Sequence, residues 1–152
     1  MMDPTTIDFI ESMGRQFEED GAPRIAGRLF GFLMVQEAPC SLDDVAEQLR
    51  VSKGSASSNA RLLEQLGIAE RVTRAGDRRD YYQISPDTGE RTLERAVQGI
   101  GSMLRRLRQG AETVEGGSPV LRQRFESAIA FHERAQQVVS DLLGQVRGRR
   151  ED

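Results

Sequence analysis

The side chains of this protein that could do chemistry are few, and most fall in two short stretches. Ser52, Lys53, Gly54, Ser55, Ser57, Ser58 and Arg61 form the first, and Arg74, Arg78 and Arg79 the second. Hydroxyls and guanidinium groups of this kind donate hydrogen bonds to phosphate oxygens and base edges, and an arginine at position 61 can reach a guanine with two bonds at once. Lys53 and the amides behind Ser52 are expected at a helix N-terminus, where unsatisfied N–H groups favour an anion. With Ala56 taken as inward at 100° per residue, Ala60 and Leu63 also turn inward, while Gly54, Ser57, Ser58, Arg61 and Gln65 turn outward. A helix face that only meets water favours Glu, Lys and Gln. Glycine and serine on that face instead let the helix lie close against another surface.

Other chemistry is poorly supplied. The chain has one histidine, His132, and one cysteine, Cys40. It contains no nucleophile beside a base, no glycine-rich phosphate loop and no cluster at metal-ligand spacing, so an enzyme is not expected, nor a cofactor or a metal. Cys40 follows Pro39 just before a helix start, a placement that can favour a thiolate. No second cysteine exists to resolve a sulfenate, and the ordinary reading is a half-buried structural thiol. His132 lies on an apolar helix stripe and reads as a hydrogen-bonded interface histidine.

Charge is distributed unevenly. The chain carries a net −3, but residues 1–20 hold six acids against one base, whereas residues 50–80 hold seven bases against four acids. Binding to a polyanion depends on local phosphate neutralisation, so a basic island in an acidic chain points to nucleic acid more than the overall charge does. With no apolar run near the ~20 residues that span a bilayer, and no basic-then-apolar leader, a cytoplasmic protein without membrane contact is expected. A lone cysteine fits a reducing compartment.

The elements that must position these residues can be read from spacing. Asp3-Pro4 starts a helix whose stripe is Ile7, Ile10, Met13 and Phe17, ended by Gly21 and Pro23. A second helix runs from about Arg24 to Glu37, with Ile25, Leu29, Phe32, Leu33 and Met34 inward. Ala38-Pro39-Cys40 breaks it, and Ser41 with Asp44 forms a capping box for a third helix with Leu42, Val45, Ala46 and Leu49 inward. Ser52 caps the fourth, serine-rich helix, which stops at Gly67. Residues 68–85 alternate as two strands around Ala75-Gly76-Asp77-Arg78, with the arginines at the tip and Asp77 orienting one of them.

This order is a winged helix-turn-helix: a second helix shaped for the DNA major groove and a flanking arginine-tipped hairpin suited to backbone or minor-groove contact. Two long helices follow. The first has a seam at Leu93, Val97, Ile100, Leu104 and Leu107; the second has one at Leu121, Phe125, Ala128, His132, Ala135, Val139 and Leu142, joined through Gly116-Gly117-Ser118-Pro119. Arg147 to Asp152 are expected to fray. Amphipathic helices outside a complete small domain need a partner surface, and a second copy of the chain is the natural one. Phe9, Phe17, Phe125 and Phe131 are expected in that dimer core.

Ser52-Lys53-Gly54-Ser55-Ala56-Ser57, Leu63, Gly67-Ile68-Ala69-Glu70-Arg71 and the tip Asp77-Arg78-Arg79 resemble the recognition helix, following strand and wing of MarR-type bacterial regulators. Gly21-Ala22-Pro23-Arg24-Ile25-Ala26-Gly27-Arg28 resembles the GbsR branch of that family. The resemblance covers about residues 21–86. It implies a mainly α fold with a small β-hairpin wing: an N-terminal helix of the dimerisation region over 1–20, a winged helix-turn-helix DNA-binding domain over 21–86 and a C-terminal helical dimerisation region over 87–152. It further implies a homodimeric transcription factor, usually a repressor, that binds a double-stranded operator and can answer to a small-molecule effector. Some GbsR-branch regulators sense choline-like cations with an aromatic box; this chain has no Trp and two Tyr, both in the wing strand. A winged helix that binds only other proteins is the competing reading, since fold does not fix function.

Overall fold

The computed structural model describes residues 2–114 and 116–149. The chain divides into two compact units, residues 1–88 and 89–152.

The first unit holds four helices and a small sheet: α1 (Pro4–Glu19), α2 (Arg24–Met34), β1 (Cys40–Ser41), α3 (Leu42–Leu49), α4 (Lys53–Gln65), β2 (Ala69–Val72) and β3 (Tyr81–Ile84). Asp3 caps α1 by accepting from the Thr6 N–H, and Pro4 occupies the first turn, where a missing N–H costs nothing. Gly21, at φ +78°, makes the turn out of α1. Helices α1 and α2 pack closely because glycines lie between them. A Cβ on Gly27 would stand 2.3 Å from the Met13 carbonyl oxygen and 2.8 Å from the Phe17 Cβ. Glu11 then ties the pair, accepting from Arg24 at 3.0 Å and Arg28 at 2.7 Å. The Gly21–Arg28 motif is therefore a helix-packing device.

The core is built from Ile10, Leu29, Phe32, Leu33, Val45, Leu49, Ala56, Ala60, Leu63 and Tyr82. The full capping box at Ser41 and Asp44 is present. Three boundaries differ from the sequence expectation. Helix α2 stops at Met34, and Met34 is half exposed, since it lies about 140° around the helix from buried Leu29. The hairpin gains a third strand, giving the antiparallel order β1-β3-β2, with Ser41 opposite Tyr81 and Cys40 opposite Tyr82. A strand of two residues is too short to show an alternation. Arg50 closes α3 in the left-handed region at φ 52°, a position no glycine or asparagine announces. Phe17 stacks on Phe30 at 5.7 Å within this unit, and Phe9 packs on the same core.

The second unit is a pair of long helices, α5 (Thr88–Thr113) and α6 (Pro119–Gly148), with Ser118 capping α6. Arg147 pairs with Glu90 at 2.7 Å and with Glu94, and Arg108 pairs with Glu133 at 2.7 Å, so the helices run antiparallel. The α5 seam from Leu93 to Leu107 is buried or half-buried, as expected. On α6 the inward seam ends at buried Leu143; Leu142 is 46% exposed. Leu142 instead continues a second stripe with Val120, Phe131 and Val138, all exposed and within about 40° of one another around the helix. Helix α6 continues through Gly148 where fraying was expected, and residues 150–152 lie outside the described residues. Among the described residues no helix is long and apolar enough to cross a membrane.

Candidate nucleic-acid interface

Helix α4 is capped by Ser52, whose hydroxyl accepts the Ser55 N–H at 3.1 Å. Ala56, Ala60 and Leu63 are fully buried, which fixes the rotation of the helix and turns Gly54, Ser58, Arg61 and Gln65 to solvent. A Cβ on Gly54 would meet nothing within 4 Å, so the first turn is open. Arg61 lies back along its own helix, with Nη2 donating to the Ser57 hydroxyl at 2.9 Å and Nε to the Ser57 carbonyl at 3.4 Å. Ser58 donates to the Ser55 carbonyl at 3.2 Å. Ser55 itself is half-buried, and its carbonyl accepts from the Asn59 amide at 2.8 Å. Asn59 is a buried polar residue that the outward/inward pattern does not flag. Lys53 is not isolated: its ammonium meets Asp43 of α3 at 2.7 Å, on the surface. Asp43 lies in the first turn of the preceding helix, ten residues away, so only the tertiary fold brings the two together.

The wing is more organised than a solvated turn. The loop between β2 and β3 turns at Gly76, φ +81°. Asp77 accepts from the Arg79 N–H at 3.0 Å, from Arg79 Nη2 at 2.7 Å and from the Tyr81 hydroxyl at 2.7 Å. These donors hold its carboxyl well below the usual carboxylate range, with the Arg79 side chain the largest cause and the Arg79 N–H and Tyr81 hydroxyl next. Arg74 does not stand at the tip with the others. Its guanidinium lies over the Tyr81 ring, 4.0 Å from the centroid, and Nη2 donates to the Pro39 carbonyl at 3.1 Å. Arg71 faces Asp80 at 3.7 Å and Glu64 at 3.9 Å. Arg78 is exposed, and among the described residues it has no ion pair. Its neighbours in sequence are thus spoken for while it projects alone.

Elsewhere the sequence candidates are quiet. Cys40 is half-buried in β1; burial pushes its thiol up, Asp44 adds to this, and Arg74 opposes it. His132 Nδ1 lies 2.8 Å from the Ala128 carbonyl, one turn back on α6. No group of three or more metal-ligating side chains occurs among the described residues. Tyr82 is buried in the core and the Tyr81 ring is covered by Arg74, so both rings are already occupied.

Known proteins share the family signature and the fold of this chain. The MarR family model matches residues 20–80, the helix-turn-helix and the wing as far as Asp80. The HTH-type transcriptional regulator MmpR5 of Mycobacterium tuberculosis is 37% identical over 150 residues, covering 93% of this chain and 87% of its own. The HTH-type transcriptional repressor OpcR of Bacillus subtilis is 30% identical over 78 residues, 51% of this chain and 42% of its own. A crystal structure of a transcriptional regulator superposes with a TM-score of 0.85 at 31% identity, over 95% of this chain and 99% of that one. The chain belongs to the MarR family of winged helix-turn-helix transcriptional regulators. That family makes it a DNA-binding regulator and not an enzyme.

Proposed function

We propose that the protein is a cytoplasmic homodimeric repressor of the GbsR branch, with one winged helix-turn-helix per protomer set into one half-site of a pseudo-palindromic operator. Half-sites about one helical turn apart, ~34–36 Å, suit such a pair. The observation that carries this reading is the open face of α4, where Gly54, Ser58 and Arg61 stand exposed above a rotation locked by Ala56, Ala60 and Leu63. Small side chains let the helix sink into the major groove, and Arg61 swings from Ser57 to a base edge at the cost of two weak surface bonds. Lys53 and the amides following Ser52 meet phosphate at the helix N-terminus, with Ser55 and Ser57 lining the approach. The wing contributes Arg78 as an open cation and Arg79 clamped by Asp77 for backbone or minor-groove contact, with Arg74 set back from the tip over the Tyr81 ring.

Residues 21–86 form the DNA-binding domain in this reading, and residues 1–20 and 87–152 supply the N- and C-terminal helices of the dimerisation region. The exposed stripe of Val120, Phe131, Val138 and Leu142 supports a second copy as its cover, since a soluble helix rarely leaves four large apolar groups in a row to water. The resemblance of the segment Gly21–Arg28 supports the GbsR branch, and the repressor named among the relatives supports repression. A small-molecule effector fits the same reading. A cavity of about 560 Å³ opens in the first unit among Met2, Ile7, Ile10, Arg28 and Arg50, within the usual range of ligand pockets. Fluorescence anisotropy with the DNA upstream of the protein's own gene tests the proposal: saturable binding that a scrambled duplex does not match is expected, and equal affinity for both defeats it.

A further inference from the structure

Tyr81 is buried to 4% exposure, yet it lies on the strand face opposite Tyr82, which is the tyrosine that joins the apolar core. What covers its ring is charge. The Arg74 guanidinium stands 4.0 Å and the Arg79 guanidinium 5.5 Å from its centroid, one from each side of the loop. Its hydroxyl, at the far end of the ring, donates to Asp77 at 2.7 Å, and the same carboxylate grips Arg79 through Nε and Nη2. Its backbone is in the middle strand, opposite Ser41 on one side and Val72 on the other. One side chain rooted in the sheet therefore meets three charged groups of the loop between β2 and β3, Arg74, Asp77 and Arg79.

We propose that Tyr81 is the positioning residue of the wing: its ring is the platform on which Arg74 and Arg79 rest, and its hydroxyl is the latch that fixes Asp77. The inference rests on the DNA-binding reading above and adds to it a residue without predicted DNA contact. An arginine in water samples many rotamers and loses that freedom when it meets a phosphate. One already stacked on a ring and forked onto a carboxylate loses less, so its contact with DNA comes at a lower entropic cost. Arg79 spends Nε and Nη2 on Asp77, which leaves its Nη1 hydrogens for a phosphate or a base.

The test uses the full chain as wild type, Tyr81→Phe, Arg79→Ala and the double variant. Tyr81→Phe keeps the ring and removes the latch. Without DNA, the Arg79 Nε–H signal in a ¹H–¹⁵N spectrum is expected to exchange with solvent several-fold faster in Tyr81→Phe. With operator DNA, Tyr81→Phe is expected to weaken binding about threefold to tenfold. In the Arg79→Ala background it should weaken binding no further, because the residue acts through Arg79. A merely structural tyrosine would leave Arg79 exchange unmoved and give additive losses, and either result overturns the inference. Should Tyr81→Phe fail to fold, Tyr81→Leu removes ring and hydroxyl together, leaves the Asp77–Arg79 pair to stand by itself, and must speed Arg79 exchange in the same way; if it does not, the inference falls. Wild-type protein that binds no duplex at all brings down the DNA reading and this inference together, whereas wild-type binding with an indifferent Tyr81→Phe brings down only the inference.

Discussion

Arg61 and Arg78 are the two cations on which the DNA reading depends most, and their surroundings assign them different work. Arg61 sits on a helix face narrow enough to enter a groove, with Ser57 as its resting partner. Arg78 stands on the wing without an ion pair among the described residues. Arg61→Ala should therefore flatten the preference for operator over altered half-sites, by about 1–3 kcal/mol at the affected base pair. Arg78→Ala should weaken all sequences alike and lower the slope of log K against log salt by about 1. Competition titrations at several salt concentrations separate the two. Asp77 sets the pH behaviour of the wing. Its folded value is depressed below the ordinary 3.8, so the clamp is fully formed above that value and is lost only as pH falls through the lowered one. The Arg79 Nε–H chemical shift should accordingly stay unchanged from about pH 5 to pH 8. Cys40 gives the opposite expectation to a reactive sensor. With its thiol pushed up by burial, alkylation at neutral pH should be slower than for a free cysteine, followed by mass spectrometry. Cys40→Ser should leave operator affinity within about twofold.

At the scale of elements, the capping box and the glycine contact between α1 and α2 hold the reading head in shape. Ser41→Ala should cost about 1–2 kcal/mol, because it strips the cap of α3 and leaves Asp44 without its hydroxyl partner. Gly27→Ala should cost about 1–3 kcal/mol or more, since its methyl would push on the Met13 carbonyl, which is backbone and cannot step aside. Thermal midpoints of the two variants check both. The helices were readable in sequence because their signals are local: Asp3-Pro4, Ser41 with Asp44, Ser52 and Gly67 each act within one turn. The rotation of α4 was readable too, as three small or apolar residues at helical spacing fix it. What escaped were pairings between distant residues. Asp43 on Lys53, Arg74 on Pro39 and Tyr81, and β1 on β3 depend on how the elements stack, not on any pattern along the chain. Tyr81 could have been suspected, since two adjacent tyrosines in a strand must face opposite sides and only one can join the core.

For the whole molecule, the acidic chain with a basic reading head makes sense as a protein that avoids nucleic acid everywhere except at one face. A single head would hold an operator weakly, and doubling it on a rigid spacing converts the second contact into an intramolecular one. The outer stripe of α6 is the surface proposed to make that pair. Phe131→Glu, at a residue 69% exposed in the single chain, should leave the chain folded while moving it from dimer to monomer in light scattering after gel filtration. If Phe131→Glu remains dimeric, the stripe is not the interface. The most direct measurement is anisotropy of a labelled duplex from the region upstream of the protein's own gene, titrated beside a scrambled duplex of equal length at several salt concentrations. Specific recognition predicts saturation at two chains per duplex, weaker binding to the scrambled sequence, and a salt slope that falls when Arg78 is removed. Equal affinity for both duplexes, or binding indifferent to salt, would contradict it.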